Sequence, residues 1–177
     1  YNIFKKVDFN ELVPEDTWID IVDFNRFLVD NNIDKIDQSV VQELLEKTVN
    51  VSKREIRGQY ATPTILADFL SRITVDDWNK ACADLCAGTG TIAKAIIRNK
   101  TKRLATAEQA FISTWMSDKY AYPLQIANIS ITDIQAINIP LNMFQSDVFS
   151  VNVGDEIKIK SPIDGSEIKK IIPKFGA

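Results

Sequence analysis

The stretch ADLCAGTGTIAKAII, residues 83–97, sets the reading of the whole chain. KACADLC, residues 80–86, reads as a short buried strand, and GTIAKAIIRNK, residues 90–100, has the spacing of a helix. Asp84, Gly88, Thr89 and Gly90 therefore fall in a strand-to-helix turn. Glycines there let a ligand approach the backbone closely, and the free N–H groups at a helix start favour a carboxylate or phosphate. The loop lacks the third glycine of the dinucleotide fingerprint and has no Gly-Lys-Ser/Thr, which argues against a nicotinamide site and against a phosphate loop.

Working outward, residues 64–73 read as a helix opened by Pro63. After the loop, AFISTWM (110–116) reads as a second strand, KYAYPLQIANISI (119–131) as a helix that tolerates Pro123 near its start, and LNMFQSDVF (141–149) as a third strand or its end. Strands alternating with helices predict a parallel sheet with right-handed crossovers. The last part differs: DEIKIKSPIDGSEIKKIIP alternates on both sides of an Asp-Gly turn and predicts a hairpin. On the amino-terminal side, residues 14–29 place Trp18, Ile21, Val22, Phe24, Phe27 and Leu28 at helical steps. A second helix follows, with Val40, Val41, Leu44, Leu45 and Val49 on its apolar face. The expected organisation is a helical domain over 1–57, an α/β part over 58–152, and a hairpin insertion or truncated end over 153–177.

Bulk properties narrow the class of protein. With 177 residues, 45% hydrophobic and 25% charged, the composition is that of a soluble globular chain. No apolar run reaches the roughly 18 residues of a membrane span, and the start lacks a secretory pattern, so a cytoplasmic location with no membrane contact is expected. A net charge of −3 is not that of a stand-alone nucleic-acid binder. Without histidine, Cys82 and Cys86 argue against a zinc site and read as reduced packing or loop residues. The dense basic clusters are 52–57, which could reach a phosphate, and 98–103, which reads as a solvated helix end. Because the chain starts at Tyr1, it is expected to be a piece of something longer.

GQYATP (58–63) followed by DLCAGTG (84–90) resembles the paired signature of the N6-adenine DNA methyltransferases, especially type I modification subunits and type IIG enzymes. Leu85 stands where that family usually has proline, and Ala61 where it has a second aromatic. The resemblance implies a partial Rossmann-like, S-adenosylmethionine-dependent methyltransferase sheet preceded by a small helical domain. It also implies that Tyr60, Thr62, Asp84, Gly88, Thr89 and Gly90 hold the methionine end of S-adenosylmethionine. Asp118 matches the acid that bonds the ribose hydroxyls, although it is equally placed to N-cap the next helix. Asp147 and Phe149 match a segment whose carboxylate accepts from the adenine amine and whose ring lines the adenine face; a strand-end acid over a core phenylalanine is the plainer account.

The family's chemistry depends on an Asn/Asp-Pro-Pro-aromatic tetrapeptide that holds a flipped adenine. This chain has none, and IPKF at 172–175 does not substitute. No catalytic residue is therefore assigned, and truncation is the simplest account: the chain is expected to bind cofactor weakly and to be inactive alone. DNA, with specificity and restriction subunits or fused domains, would be partners of the longer protein. Two other readings stay open, a methyltransferase acting on RNA or a small molecule, and a non-catalytic interaction module whose helices at 14–50 dock a partner.

Overall fold

The computed structural model describes residues 15–32, 35, 37–47, 62–103, 106–132 and 138–176. Helices α1 (Glu15–Asp30), α2 (Gln38–Lys47) and α3 (Thr64–Thr74) precede β1 (Cys82–Asp84). Then come α4 (Thr91–Thr101), α5 (Ala107–Ile112), β2 (Thr114–Asp118), α6 (Ala121–Ile131), β3 (Asn142–Gln145) and a 3-10 turn, Val148–Ser150. A hairpin, β4 (Glu156–Lys160) and β5 (Glu167–Ile171), follows. The chain is thus mixed α/β, with a three-stranded parallel sheet in the order β1-β2-β3 and a separate antiparallel pair.

Each face of the parallel sheet has its own cover. Met116 of β2 packs with Ala93 and Ile97 of α4, Phe111 of α5 and Leu124 of α6. Trp115, its neighbour on the opposite face, packs with Phe144 and Ile172, where the hairpin and the strap after it lie. Phe175 meets the Trp115 ring edge-on at 6.1 Å, and the Gly176 amide donates to the Ala81 carbonyl at 3.0 Å. In the hairpin, Ile159 is buried while Lys158, Lys160 and Lys169 face outward and pair with Glu167 and Glu156. Its tip uses Gly165 at φ +71, and Asp164 accepts from the Ser166 amide and hydroxyl.

Several sequence expectations need correction. Residues 110–112 are the end of α5 and not part of a strand; Thr106 caps that helix by accepting from the Gln109 amide, and β2 starts only at Thr114. The strands are shorter than the apolar runs, because β1 stops where Leu85 turns and β3 stops before Asp147. Pro63 stands just outside α3, with an extended ψ of 138°. The basic run at 98–103 is a helix end exposed at Arg98, Lys102 and Arg103, as expected, but not at Asn99 and Lys100. Lys100 is completely buried, and its ammonium donates to the Lys80 and Ser113 carbonyls at 2.7 and 3.2 Å and to the Ser113 hydroxyl at 2.7 Å. Those contacts match the three donors of the group. Burial pushes its pKa down. Arg98 bonds Asp68 at 2.7 Å, and Arg103 lies 4.5 Å over the Trp78 ring. Burying a cation in this way requires those partners to be in place, which sequence spacing alone does not reveal.

The amino-terminal helices behave differently from each other. α1 keeps Ile19, Val22, Phe24 and Phe27 exposed, so its apolar side chains build no core among the described residues. α2 packs against α6 and reaches the glycine loop. The basic run at 52–57 and Tyr60 lie outside the described residues.

Candidate functional site

Because β1, β2 and β3 run parallel, their carboxyl ends share one edge, where open α/β sheets bind ligands. Three acids stand there: Asp84 ends β1, Asp118 ends β2, and Asp147 follows β3. The exposed Cys86 thiol, in the loop between β1 and α4, senses all three. Its pKa is pushed up first by partial burial and then by the charges of Asp84, Asp118 and Asp147.

The glycine loop is built from its own hydrogen bonds. Gly88 and Gly90 have φ of +53° and +84°, the left-handed region that favours glycine. The Ala87 amide donates to the Ser117 carbonyl at 2.8 Å, and the Gly90 amide to the Ala87 carbonyl at 2.8 Å. The Gly88 amide donates to Asp118 Oδ2 at 2.9 Å. A side chain at Gly88 would meet nothing within 4 Å, so open space lies before that residue. At Gly90 the Cβ would strike Ala127 and Ile131 of α6, so this glycine answers to packing.

Asp118 Oδ1 also accepts from the Tyr120 amide at 2.8 Å, while the N-cap of α6 is Tyr120, without a side-chain cap. Asp118 is therefore an anchor for the loop and not the helix cap that its position allowed. Each carboxylate oxygen has two acceptor sites, so further donors can still be taken. Asp147 accepts from the Phe149 amide at 3.1 Å and pairs with Lys119 at 3.1 Å, which together hold its carboxyl below the ordinary range. Phe149 is 95% exposed, so it is not the core phenylalanine of the plainer account.

Asp84 is the most perturbed acid of the three. Its Oδ2 is buried and has no hydrogen-bond partner among the described residues. Burial raises its pKa to about 6, the Cys86 and Ala93 amides oppose the rise, and the Asp118 charge adds to it. Such a group, at a strand end beside a glycine loop, marks a place where a donor from a ligand would be welcome.

Thr62 and Thr89 lie toward α2. Thr62 and Pro63 line a cavity of about 320 Å³ with Thr91, the residue after Gly90, and with Lys94 of α4 and Gln42 and Glu46 of α2. The cavity thus joins the end of the first bend to the start of α4; Gly88, Thr89 and Gly90 are not in its lining. The Thr89 hydroxyl donates to Glu46 at 2.5 Å, with the Gln42 amide 3.4 Å from the Thr89 carbonyl. Glu46 and Gln42 escaped the sequence reading; they sit on a helix surface with ordinary charge spacing, which carries no sign that the face meets a loop more than forty residues away.

Among the described residues no group of His, Cys, Asp or Glu could hold a metal ion, and no helix is long and apolar enough to cross a membrane. A scan against protein-family models finds none that matches this sequence, and a search of curated proteins finds no match either.

Proposed function

We propose that the chain is the cofactor-binding part of an adenine-N6 DNA methyltransferase of a restriction–modification system, with a Rossmann-like sheet that binds S-adenosylmethionine. The observation that carries this reading is the convergence of Asp84, Asp118 and Asp147 at one sheet edge, around a glycine loop with open space before Gly88. A cofactor with an ammonium, two ribose hydroxyls and an adenine amine offers a donor for each acid. The unpartnered Asp84 Oδ2 fits the ammonium, Asp118 the ribose and Asp147 the adenine amine, with the exposed Phe149 ring against the adenine face. When bound, this cofactor supplies an electrophilic methyl group. The chain's residues here orient it; the groups that would hold a target adenine are not among them. DNA, specificity subunits and restriction subunits are the partners this reading implies, in the cytoplasm.

Calorimetric titration with S-adenosylmethionine, with NAD as a comparison, tests the reading. Binding of the first and not the second is expected, and heat from neither would refute it. Phe149→Ala should weaken binding about tenfold, since stacking a base on an aromatic ring is worth about 1–3 kcal/mol. Stability should change by less than about 0.5 kcal/mol, because the ring is exposed. Unchanged affinity in that variant would remove Phe149 from the site. The exposed apolar side chains of α1 favour a second reading, a non-catalytic module that docks a partner, and a chain that binds no nucleoside would favour it.

A further inference from the structure

The family resemblance implies that Thr62, Asp84 and the backbone of Gly88 to Gly90 hold the methionine end, but two of the loop amides are already committed. The Gly88 amide serves Asp118 and the Gly90 amide serves the Ala87 carbonyl. The charge that answers a carboxylate must come from elsewhere. The cavity beside the loop holds two cations, Lys94 and Arg98, but they differ in what they already do. Arg98 is engaged by Asp68 at 2.7 Å. Lys94 is half-buried and makes no hydrogen bond or ion pair among the described residues.

Two of the acids nearby are engaged elsewhere. Glu43 pairs with Lys47 at 2.6 Å, and Glu46 takes the Thr89 hydroxyl. Asp37 is the carboxylate whose charge Lys94 feels, and this offsets only part of the effect of burial. Two helices also begin at this wall, α3 at Thr64 and α4 at Thr91. Their positive ends make a lone ammonium less comfortable and an anion more so. The hydroxyl-bearing residues Thr62 and Thr91 add neutral polar groups to the same lining.

We infer that Lys94 is a ligand-binding residue, the counter-ion of a carboxylate on an amino-acid group held in the cavity between α2, the start of α3 and α4. This rests on the cofactor reading above and assigns the cavity to the amino-acid end of that cofactor. The ammonium of the same group is the one given above to Asp84, so the two charges of the zwitterion meet separate partners.

S-adenosylhomocysteine carries the amino-acid group, and 5′-methylthioadenosine is the same thioether nucleoside without it. Calorimetry with both, on the unmodified chain and on Lys94→Met, separates the possibilities, with circular dichroism confirming that the variant is folded. Lys94→Met should bind S-adenosylhomocysteine about tenfold or more weakly, the scale of a hydrogen bond to a charged group. It should bind methylthioadenosine unchanged, and Lys94→Arg should keep most of the affinity. If Lys94→Met failed to fold, Lys94→Gln would take its place. Equal affinity of variant and parent for S-adenosylhomocysteine would overturn the inference while leaving the cofactor reading intact. An equal loss for both ligands would also overturn it. If the unmodified chain bound neither nucleoside, the cofactor reading would fall and take this inference with it.

Discussion

Gly90→Ala is expected to destabilise the chain by about 3 kcal/mol, whereas Gly88→Ala, two residues away in the same loop, costs only about 1 kcal/mol. Both glycines have positive φ, so both variants bear the strain of a left-handed alanine. The difference lies in what a new Cβ would meet. At Gly90 it would stand 2.8 Å from the Ala127 Cβ, 2.9 Å from Ile131 Cδ1 and 3.2 Å from the Ala127 backbone. Ala127 has no rotamer to escape into and is fully buried, so α6 itself must shift, and overpacking of that kind costs about 1–3 kcal/mol. At Gly88 nothing lies within 4 Å. Urea unfolding of the two variants measures the contrast. Losses equal to within about 0.5 kcal/mol would mean that α6 does not press on the loop as described. The functional order should be the reverse of the structural one. Alanine at Gly88 would project into the open space of the proposed site and weaken cofactor binding in a protein that still folds.

The same loop shows what a sequence can and cannot carry. Local patterns were legible: the strand ending at Asp84, the helix after Gly90, the parallel alternation and the hairpin around Asp164-Gly165 all follow from short-range spacing. The two glycines looked alike in sequence, yet their different duties depend on α6, which arrives more than thirty residues later. Residues 110–112 mislead because the apolar pair Phe111 and Ile112 suits a strand as well as a short helix, in which Phe111 is buried and Ile112 exposed; only the cap at Thr106 decides between them. Lys100 looked like a solvated cation, since nothing local announces that Lys80 and Ser113 will offer it oxygens. Glu46 was missed for the same reason: a surface charge meets a distant loop only through the elements that the fold brings to it.

The charge state of Asp84 gives the second large effect. Its folded pKa of about 6 lies above the ordinary 3.8, so the folded chain holds a proton between roughly pH 4 and 6 that the unfolded chain has released. The contribution of Asp84 to stability is therefore greatest at low pH and falls as pH rises through that window. Above about pH 6 the ionised, buried carboxylate costs about 3 kcal/mol. An asparagine at that position would have a similar shape and no charge. Asp84→Asn should accordingly raise stability by about 2 kcal/mol at pH 8, the remainder being lost to an amide that also lacks a partner, and should change little near pH 4. Urea unfolding of parent and variant at both pH values isolates this group, because every other titration is common to the two proteins. A variant less stable than its parent at pH 8 would show that Oδ2 has a donor after all. Ligand binding should depend on the same proton with the opposite consequence. An ammonium placed at Oδ2 favours the ionised form, so affinity for the cofactor should rise as pH rises through about 6, and Asp84→Asn should lose both that pH dependence and most of the binding. The acid is thus a strain in the fold that a cationic ligand would relieve, and stability and affinity respond to its removal in opposite directions.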